Sequence, residues 1–467
     1  MKGRIKMNST QDELGTQPVG KLLVKLATPA ITAQIINALY NIVDRMYIGH
    51  MEGTGALALT GVGLTFPIIM IISAFSGLIG MGGAPRASIK MGEKDNDGAE
   101  KILGNCFMAL IYISIALSVI FSIFKKPLLY MFGASDNTIQ YSMDYLHIYL
   151  MGTLFVQLTM GMNAFITAQG FAKTSMCTVL IGAGFNIILD PIFIFGFKMG
   201  VKGAATATIL SQAISAIWVL CFLFGKKTNL KIKKENLKIK WSILSPAIAL
   251  GLSPFVMTST ESLVNIALNS SLQRLGGDVY VGAMTIIGSL MQVCMMPMQG
   301  LSQGAQPIIS YNYGARNSIR VRKTYKLLLA SSFTYATVMC ASILLFPKVF
   351  ISIFTNDPAV TEVTIWAVRI FMCGVFAMGI QVACQQTMVS LGQAKITLFL
   401  ALLRKVFLLI PLVYIIPAIF KNGVTGVFLA EPIADITAST ITLICFISTF
   451  PKLMRQIETN EPSNKTK

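Results

Sequence analysis

The sequence is poor in charge, nearly empty of histidine, and lacks the short motifs that build common catalytic centres. Only 12% of its 467 residues are Asp, Glu, Lys or Arg, about half the ~25% usual for a soluble domain, so water is not the solvent for most of its surface. The two histidines, His50 and His147, belong to no HExxH, and no nucleophile elbow is present. This excludes the zinc-peptidase and α/β-hydrolase designs, and no enzymatic activity is expected. The eight cysteines form no CxxC and mostly sit inside apolar runs, where they pack as small core residues; neither a disulfide framework nor a zinc site is expected. A cleavable leader is also missing from the pattern: Met1 to Lys25 is polar and charged and runs straight into a long apolar segment, with no separate short apolar core and small-residue cleavage site.

Apolar residues fill the space. They make up 54% of the chain, the mean hydropathy is +0.67, and runs long enough for a bilayer core, which needs about 20 residues per helix, recur throughout. We place twelve membrane helices at 26–47, 55–81, 102–124, 143–168, 174–197, 203–225, 243–271, 280–306, 327–347, 362–390, 396–420 and 424–450. The formal charge of +18 is distributed over this plan in alternation: counted from the N-terminus, alternate flanks carry 27 Lys and Arg and the others 7. The positive-inside rule accounts for that asymmetry and puts both termini in the cytoplasm of a multi-pass plasma-membrane protein, with the lipid bilayer, not nucleic acid, as the partner of its basic charge.

Compared with itself, the chain repeats at an offset of 222. Gly92 and Gly314, Lys101 and Lys323, Phe132 and Phe354, Gly152 and Gly374, Gly170 and Gly392, Ala172 and Ala394, and Lys173 and Lys395 all answer one another. An even number of helices per copy gives both the same orientation, so the pseudo-two-fold axis should run along the membrane normal with a cavity between the halves. The expected fold is all-α, twelve helices in two pseudo-symmetric six-helix lobes. Its parts are an N-terminal lobe over 1–225, a basic linker over 226–242, a C-terminal lobe over 243–450 and a cytoplasmic tail over 451–467.

A polar side chain in a membrane helix needs a partner or a purpose, because a charged one costs at least about 2.5–3.5 kcal/mol there. In the first helix Gln34, Asn37, Asn41 and Asp44 fall at +3, +4 and +3 on one face, which lipid cannot accept. In the fifth, Asn186 and Asp190 are one turn apart and Pro191 frees a backbone carbonyl. Asp44, Asn186 and Asp190 suit a site for H⁺ or Na⁺, since paired carboxylates share a proton or hold a cation with neighbouring amide oxygens. A plain interhelical hydrogen-bond network fits the same residues. Positions 222 further on are Ile266 and Leu412, so the repeat has diverged at both carboxylates. The second half offers Glu261 and Asn265 in its first helix, Gln292, Met295 and Gln299 in its second, and Gln381 and Gln385 in its fourth. Glu261 is a candidate contact for a cationic substrate, and the methionines suit a pocket of adaptable shape or ordinary packing. Arg404 with Lys405, and Glu431 with Asp435, are expected to neutralise one another between the last two helices.

Asn41-x-x-Asp44 followed by Gly49, Asn186-x-x-x-Asp190-Pro191, Gly170-Phe171-Ala172-Lys173 and Gly304-Ala305-Gln306-Pro307 leading to Gly314 together resemble the multidrug and toxic compound extrusion (MATE) family, within it the DinF-like branch and its MepA-type pumps. The resemblance spans essentially the whole chain. It implies a monomeric antiporter that works by rocking its lobes, exporting lipophilic cationic drugs and dyes against H⁺ or Na⁺ with no organic cofactor. It also implies an ion site of Asp44, Asn163, Asn186, Asp190 and Thr208. Gln34, Asn37, Asn41, Glu261, Asn265, Gln292, Met295 and Gln299 then face the substrate cavity. Glu261 matches an acidic position of another branch, but the carboxylate paired with it there is replaced here by the region of Gln381, Cys384 and Gln385, so that branch's C-lobe cation site is not expected. A lipid-linked oligosaccharide flippase of related fold is the rival reading; a pyrophosphate cargo asks for basic cavity walls, whereas the charge inside the first lobe is acidic.

Overall fold

The computed structural model describes residues 9–51, 54–355, 357–419 and 423–459. Residues 1–8 and 460–467, the ends of the expected N-terminal segment and tail, lie outside the described residues. Twelve membrane-length segments follow one another: α1 (Val19–Gly49), α2 (Gly55–Gly92), α3 (Asn96–Met131), α4 (Ile139–Met151 with Thr153–Ala168), α5 (Ala172–Gly196), α6 (Val201–Phe224), α7 (Trp241–Gly276), α8 (Asp278–Gly314), α9 (Ser318–Leu345), α10 (Pro358–Ser390), α11 (Ala394–Ile419) and α12 (Gly423–Thr459). No strand occurs among the described residues.

Several helices run well past their apolar windows. α2, expected over 55–81, has 38 residues, which at 1.5 Å each is about 57 Å, against a hydrocarbon core of about 30 Å. Its extra turns carry Arg86 and Lys90 out of the apolar layer while backbone hydrogen bonding continues. α4 departs from a straight rod and bends by 58° at Gly152. A Cβ there would lie 2.2 Å from Ile209 of α6, so the neighbouring helix presses into the break. Its repeat mate Gly374 ends the 3-10 turn that interrupts α10 and is pressed by Pro432 of α12. α5 closes in a π-helical turn, Ile192–Gly196, after Pro191, whose ring nitrogen has no hydrogen to give the preceding turn.

Helix pairing reproduces the repeat. Within the first six, α1 packs on α5, α2 on α3 and α4, and α6 on α4 and α5; within the last six, α7 packs on α11, α8 on α9 and α10, and α12 on α10 and α11. The lobes meet through α1 with α8, α2 with α7, and α2 with α8 on the axis. Glycines make that meeting close. A Cβ on Gly82 would lie 2.1 Å from Ala247 O and one on its mate Gly304 2.6 Å from Ala27 Cα; on the axis, a Cβ on Gly92 would lie 2.0 Å from Tyr311 O and one on Gly314 2.0 Å from Ile89 O. These residues, with Gly251 and Gly300, all lie in the helix halves nearest the termini.

That same end gathers the chain's loose pieces. Leu14 O accepts from Asn312 Nδ2 (2.9 Å) and Arg320 Nη2 (3.0 Å), and Arg322 pairs with Glu458 at 3.2 Å. The basic segment between the lobes is strapped to the N-lobe: Gln169 Oε1 accepts from Thr228 Oγ1, Asn229 N and Leu230 N, each at 2.9 Å, and Glu100 pairs with Lys233.

Candidate functional site

α1, α5 and α6 converge in the N-lobe around two carboxyls. Asp190 and Asn186 sit one turn apart on the buried face of α5, 0% and 1% exposed. With its amide oxygen toward Thr208 N (3.3 Å), Asn186 donates from nitrogen to Asp190 Oδ2 at 2.7 Å, the orientation that satisfies both ends. Asp44 reaches in from α1 as the charged neighbour of Asp190, and two carboxyls so placed repel one another unless a proton or a cation lies between them. Asp44 Oδ1 is buried without a partner. Arg45, the next residue, turns away over the Phe66 ring at 5.3 Å, so the pair keeps its acidic character.

Three tyrosines that sequence reasoning missed complete the cluster. Tyr40 of α1 and Tyr145 of α4 lie beside Asp44 and Thr208, and Tyr149 stacks on Tyr145 with ring centroids 6.2 Å apart. Tyr40 lies one turn before Asp44 on the same helix face, a signal that was available; the α4 pair sits in an apolar run that marks nothing.

Of the other expected ion-site residues, Thr208 stands inside the cluster, while Asn163 lies elsewhere. It accepts from Thr178 Oγ1 at 2.9 Å and donates to Ser175 O at 3.3 Å, and Thr178 is twelve residues, or about 18 Å of helix, before Asp190. Among the described residues no three His, Cys, Asp or Glu side chains form a metal cage; oxygens for Na⁺ would come from Asp44, Asn186, Asp190 and the surrounding hydroxyls.

The expected cavity residues are dispersed along α1, α7 and α8. Gln34 and Met295 are half-buried; Asn37, Asn41, Glu261, Asn265, Gln292 and Gln299 are exposed. Asn41 Nδ2 is satisfied by Asn37 O at 2.7 Å. Exposed amides at membrane depth are costly against lipid, so these residues suit the walls of a cleft between the lobes, on the far side of the glycine contacts from the termini. The edge contact of Phe75 with Phe255, centroids 4.9 Å apart, lies at its floor.

The charges of α11 pair differently from expectation. Arg404 does bridge Glu431 (3.2 Å) and Asp435 (2.7 Å) of α12, but Lys405 pairs with Glu261 of α7. Both stand in the π-helical stretch Leu403–Leu409 of α11, where successive residues still point to different faces, so the two cations address different neighbours. Glu261 therefore carries an internal ammonium, with 55% of its own side chain still exposed.

The chain has relatives among known proteins. It is 25% identical over 428 residues to the multidrug export protein MepA of Staphylococcus haemolyticus, covering 92% of this chain and 93% of that one. It is 26% identical over 427 residues to MepA of Staphylococcus aureus strain NCTC 8325, covering 90% and 91%. Among solved structures, a MATE protein in its bent conformation superposes with a TM-score of 0.91 at 22% identity, over 97% of this chain and all of that one. The outward-facing form of a multidrug resistance MATE transporter gives 0.88 at 22%, over 96% and 100%. The MatE family model matches residues 29–192 and again 254–415, one stretch in each half of the repeat, and the chain therefore belongs to the MatE family.

Proposed function

We propose that this protein exports lipophilic cations across the plasma membrane in exchange for protons that enter at Asp44 and Asp190. The observation that carries this reading is the meeting of those two carboxyls in a buried pocket whose other groups are neutral. A proton bridges the pair; its loss leaves two carboxylates in mutual repulsion between α1 and α5. α1 also forms the lobe boundary with α8, so proton binding and lobe closure act on one helix, and a ligand need only prefer one of its states to be coupled to the proton. The Lys and Arg asymmetry between flanks supports cytoplasmic termini, and with them a cleft that opens outward. The acidic cluster and exposed Glu261 favour cationic cargo, as does the resemblance to proteins named for multidrug export.

The test is ethidium efflux from vesicles holding purified protein, with pH and Na⁺ gradients imposed separately. The pH gradient should drive efflux in the wild type, and Asp190→Asn or Asp44→Asn should reduce it more than tenfold at equal insertion. Efflux driven by Na⁺ alone would reassign the coupling ion to the same oxygens. Normal pH-driven efflux by a well-inserted Asp190→Asn variant would refute the site.

A further inference from the structure

The C-lobe holds a second charged cluster that the N-lobe reading does not use, and its charges do not balance. Glu261, Glu431 and Asp435 face two cations, Arg404 and Lys405. Glu431 and Asp435 are 6% and 1% exposed, and each gives one oxygen to Arg404 while Glu431 Oε2 and Asp435 Oδ2 are buried with no partner. On α10, Met378 Sδ accepts from Arg404 Nη2 at 3.8 Å. One turn further, the 3% exposed Gln381 also has an unpartnered buried oxygen, Oε1. Cys373 of α10 is the remaining titratable neighbour of Asp435. A surplus carboxylate and three orphaned acceptors at membrane depth are costly unless a hydrogen is present. A metal ion fits poorly beside a guanidinium and an ammonium.

The place of the cluster is not arbitrary. It joins α7, α11 and α12, the repeat counterparts of α1, α5 and α6, which build the Asp44–Asp190 site. Taking the one-residue slip by which Val424 answers Val201, Glu431 occupies the position of Thr208. The carboxylates of the two halves differ in sequence position yet occupy the same seat in the fold.

We propose that Glu431 and Asp435 share one exchangeable proton, and that a cationic ligand bound at Glu261 expels it. Resting on the cationic-cargo reading above, the exchange conserves charge. With the proton bound, three carboxylates are matched by Arg404, Lys405 and H⁺. When a ligand cation pairs with the exposed Glu261 it displaces the Lys405 ammonium, which already lies within electrostatic reach of Glu431. Lys405 then takes the orphaned oxygen, the proton leaves to cleft water, and three carboxylates are matched by Arg404, Lys405 and the ligand. The C-lobe thus swaps one cation for one proton independently of Asp44 and Asp190.

The experiment uses full-length protein in nanodiscs with Asp44→Asn and Asp190→Asn silencing the N-lobe. Infrared difference spectra across a pH titration should retain the carbonyl stretch of a buried carboxylic acid, and Glu431→Gln or Asp435→Asn, each of which removes the surplus charge, should abolish it. Either variant restores the balance of charges, so both are expected to fold; Glu261→Gln, at the exposed end, should weaken the band as well. Adding ethidium in weakly buffered solution should release one proton per dye bound, and Glu431→Gln should bind dye without release. No band in the silenced protein, or a band unmoved by both Glu431→Gln and Asp435→Asn, overturns the site. Dye that binds the silenced protein without releasing a proton overturns the exchange. Dye that binds neither the wild type nor the silenced protein sinks the cationic-cargo reading and the exchange with it, dye that binds the wild type alone overturns an exchange independent of Asp44 and Asp190, and the band then decides the proton site alone.

Discussion

Two phenols, Tyr40 and Tyr145, gather near the hydroxyl of Thr208 on α6, beside the two carboxyls. If each phenol donates to that hydroxyl, removing one phenol oxygen forfeits one hydrogen bond, worth about 0.5–1.5 kcal/mol, whereas removing the hydroxyl leaves two donors without an acceptor, at about 1–3 kcal/mol each. Thr208→Val should therefore lower thermal stability and pH-driven efflux more than Tyr40→Phe or Tyr145→Phe, and adding Tyr145→Phe to Thr208→Val should recover part of the loss. Differential scanning fluorimetry on the four proteins checks the order; equal losses would mean that the phenols do not depend on Thr208. The same cluster shows what a sequence reveals. Asp44, Asn186 and Asp190 stand out because charge and amide are rare in apolar helices. Thr208 emerged only through resemblance, and the tyrosines not at all, since an amphipathic ring is ordinary at any membrane depth. Asn163 carries the right chemistry, but its place along α4 brings it to Thr178 rather than to Asp190.

At the scale of elements, the repeat extends to the way helices begin and to what holds the connections. Asp95 caps α3 by accepting from Gly98 N at 2.8 Å, and Asn317, 222 residues on, caps α9 by accepting from Arg320 N at 3.1 Å. Asp95→Ala should cost about 0.5–2 kcal/mol, and Asp95→Asn, which keeps an acceptor, clearly less. The Gly98 N–H, followed by the Lys90 ammonium, holds the Asp95 carboxyl below its ordinary value. A carboxyl lowered in the folded state adds stability above its unfolded value and loses it as pH falls through the folded value. The advantage of wild type over Asp95→Asn should thus persist at neutral pH and fade only in acid below about pH 4. Because Asp95 is 43% exposed, solvent screening keeps this to a fraction of a kcal/mol. Gln169 is the more consequential anchor, one buried oxygen serving three donors of the linker. Gln169→Ala should free that strap, read as faster tryptic cleavage between Lys226 and Lys240 with the helices intact; an unchanged cleavage rate would show that Glu100, and Asn105 whose Oδ1 accepts from Lys240 N at 2.6 Å, hold it unaided. The twelve helices were legible from hydropathy, but their ends were not. The charged turns of α2 and the first turns of α3 remain helical beyond the bilayer, and the bend at Gly152 comes from Ile209 of another helix, which no local pattern contains.

For the whole molecule, the offset of 222 was plain in the sequence while its physical reason lay in the packing. Gly82 with Gly304, and Gly92 with Gly314, recur because they are where the two lobes touch, and backbone oxygens or Cα atoms fill the space a side chain would take. This makes the closed end of the cleft a surface of small residues with no slack. Adding one methyl at Gly82 or Gly304 forces α2 from α7, or α1 from α8, by overpacking that costs about 1–3 kcal/mol. The cost falls only on the state in which this end is shut. A difference of that size shifts a two-state equilibrium by about 5–150-fold. Gly82→Ala and Gly304→Ala should therefore each move the protein toward the form open at the end bearing the termini, and the double variant should move it further, since the two contacts are separate. Spin labels on α2 and α7 flanking that end would report the change as growth of a longer-distance population. Gly63→Ala, where a Cβ meets nothing within 4 Å, supplies the control and should leave the distances alone. Should Gly82→Ala and Gly63→Ala give the same distribution, the glycine contacts do not set the balance between the two ends, and the weight of closure would pass to the Phe75–Phe255 contact at the cleft floor.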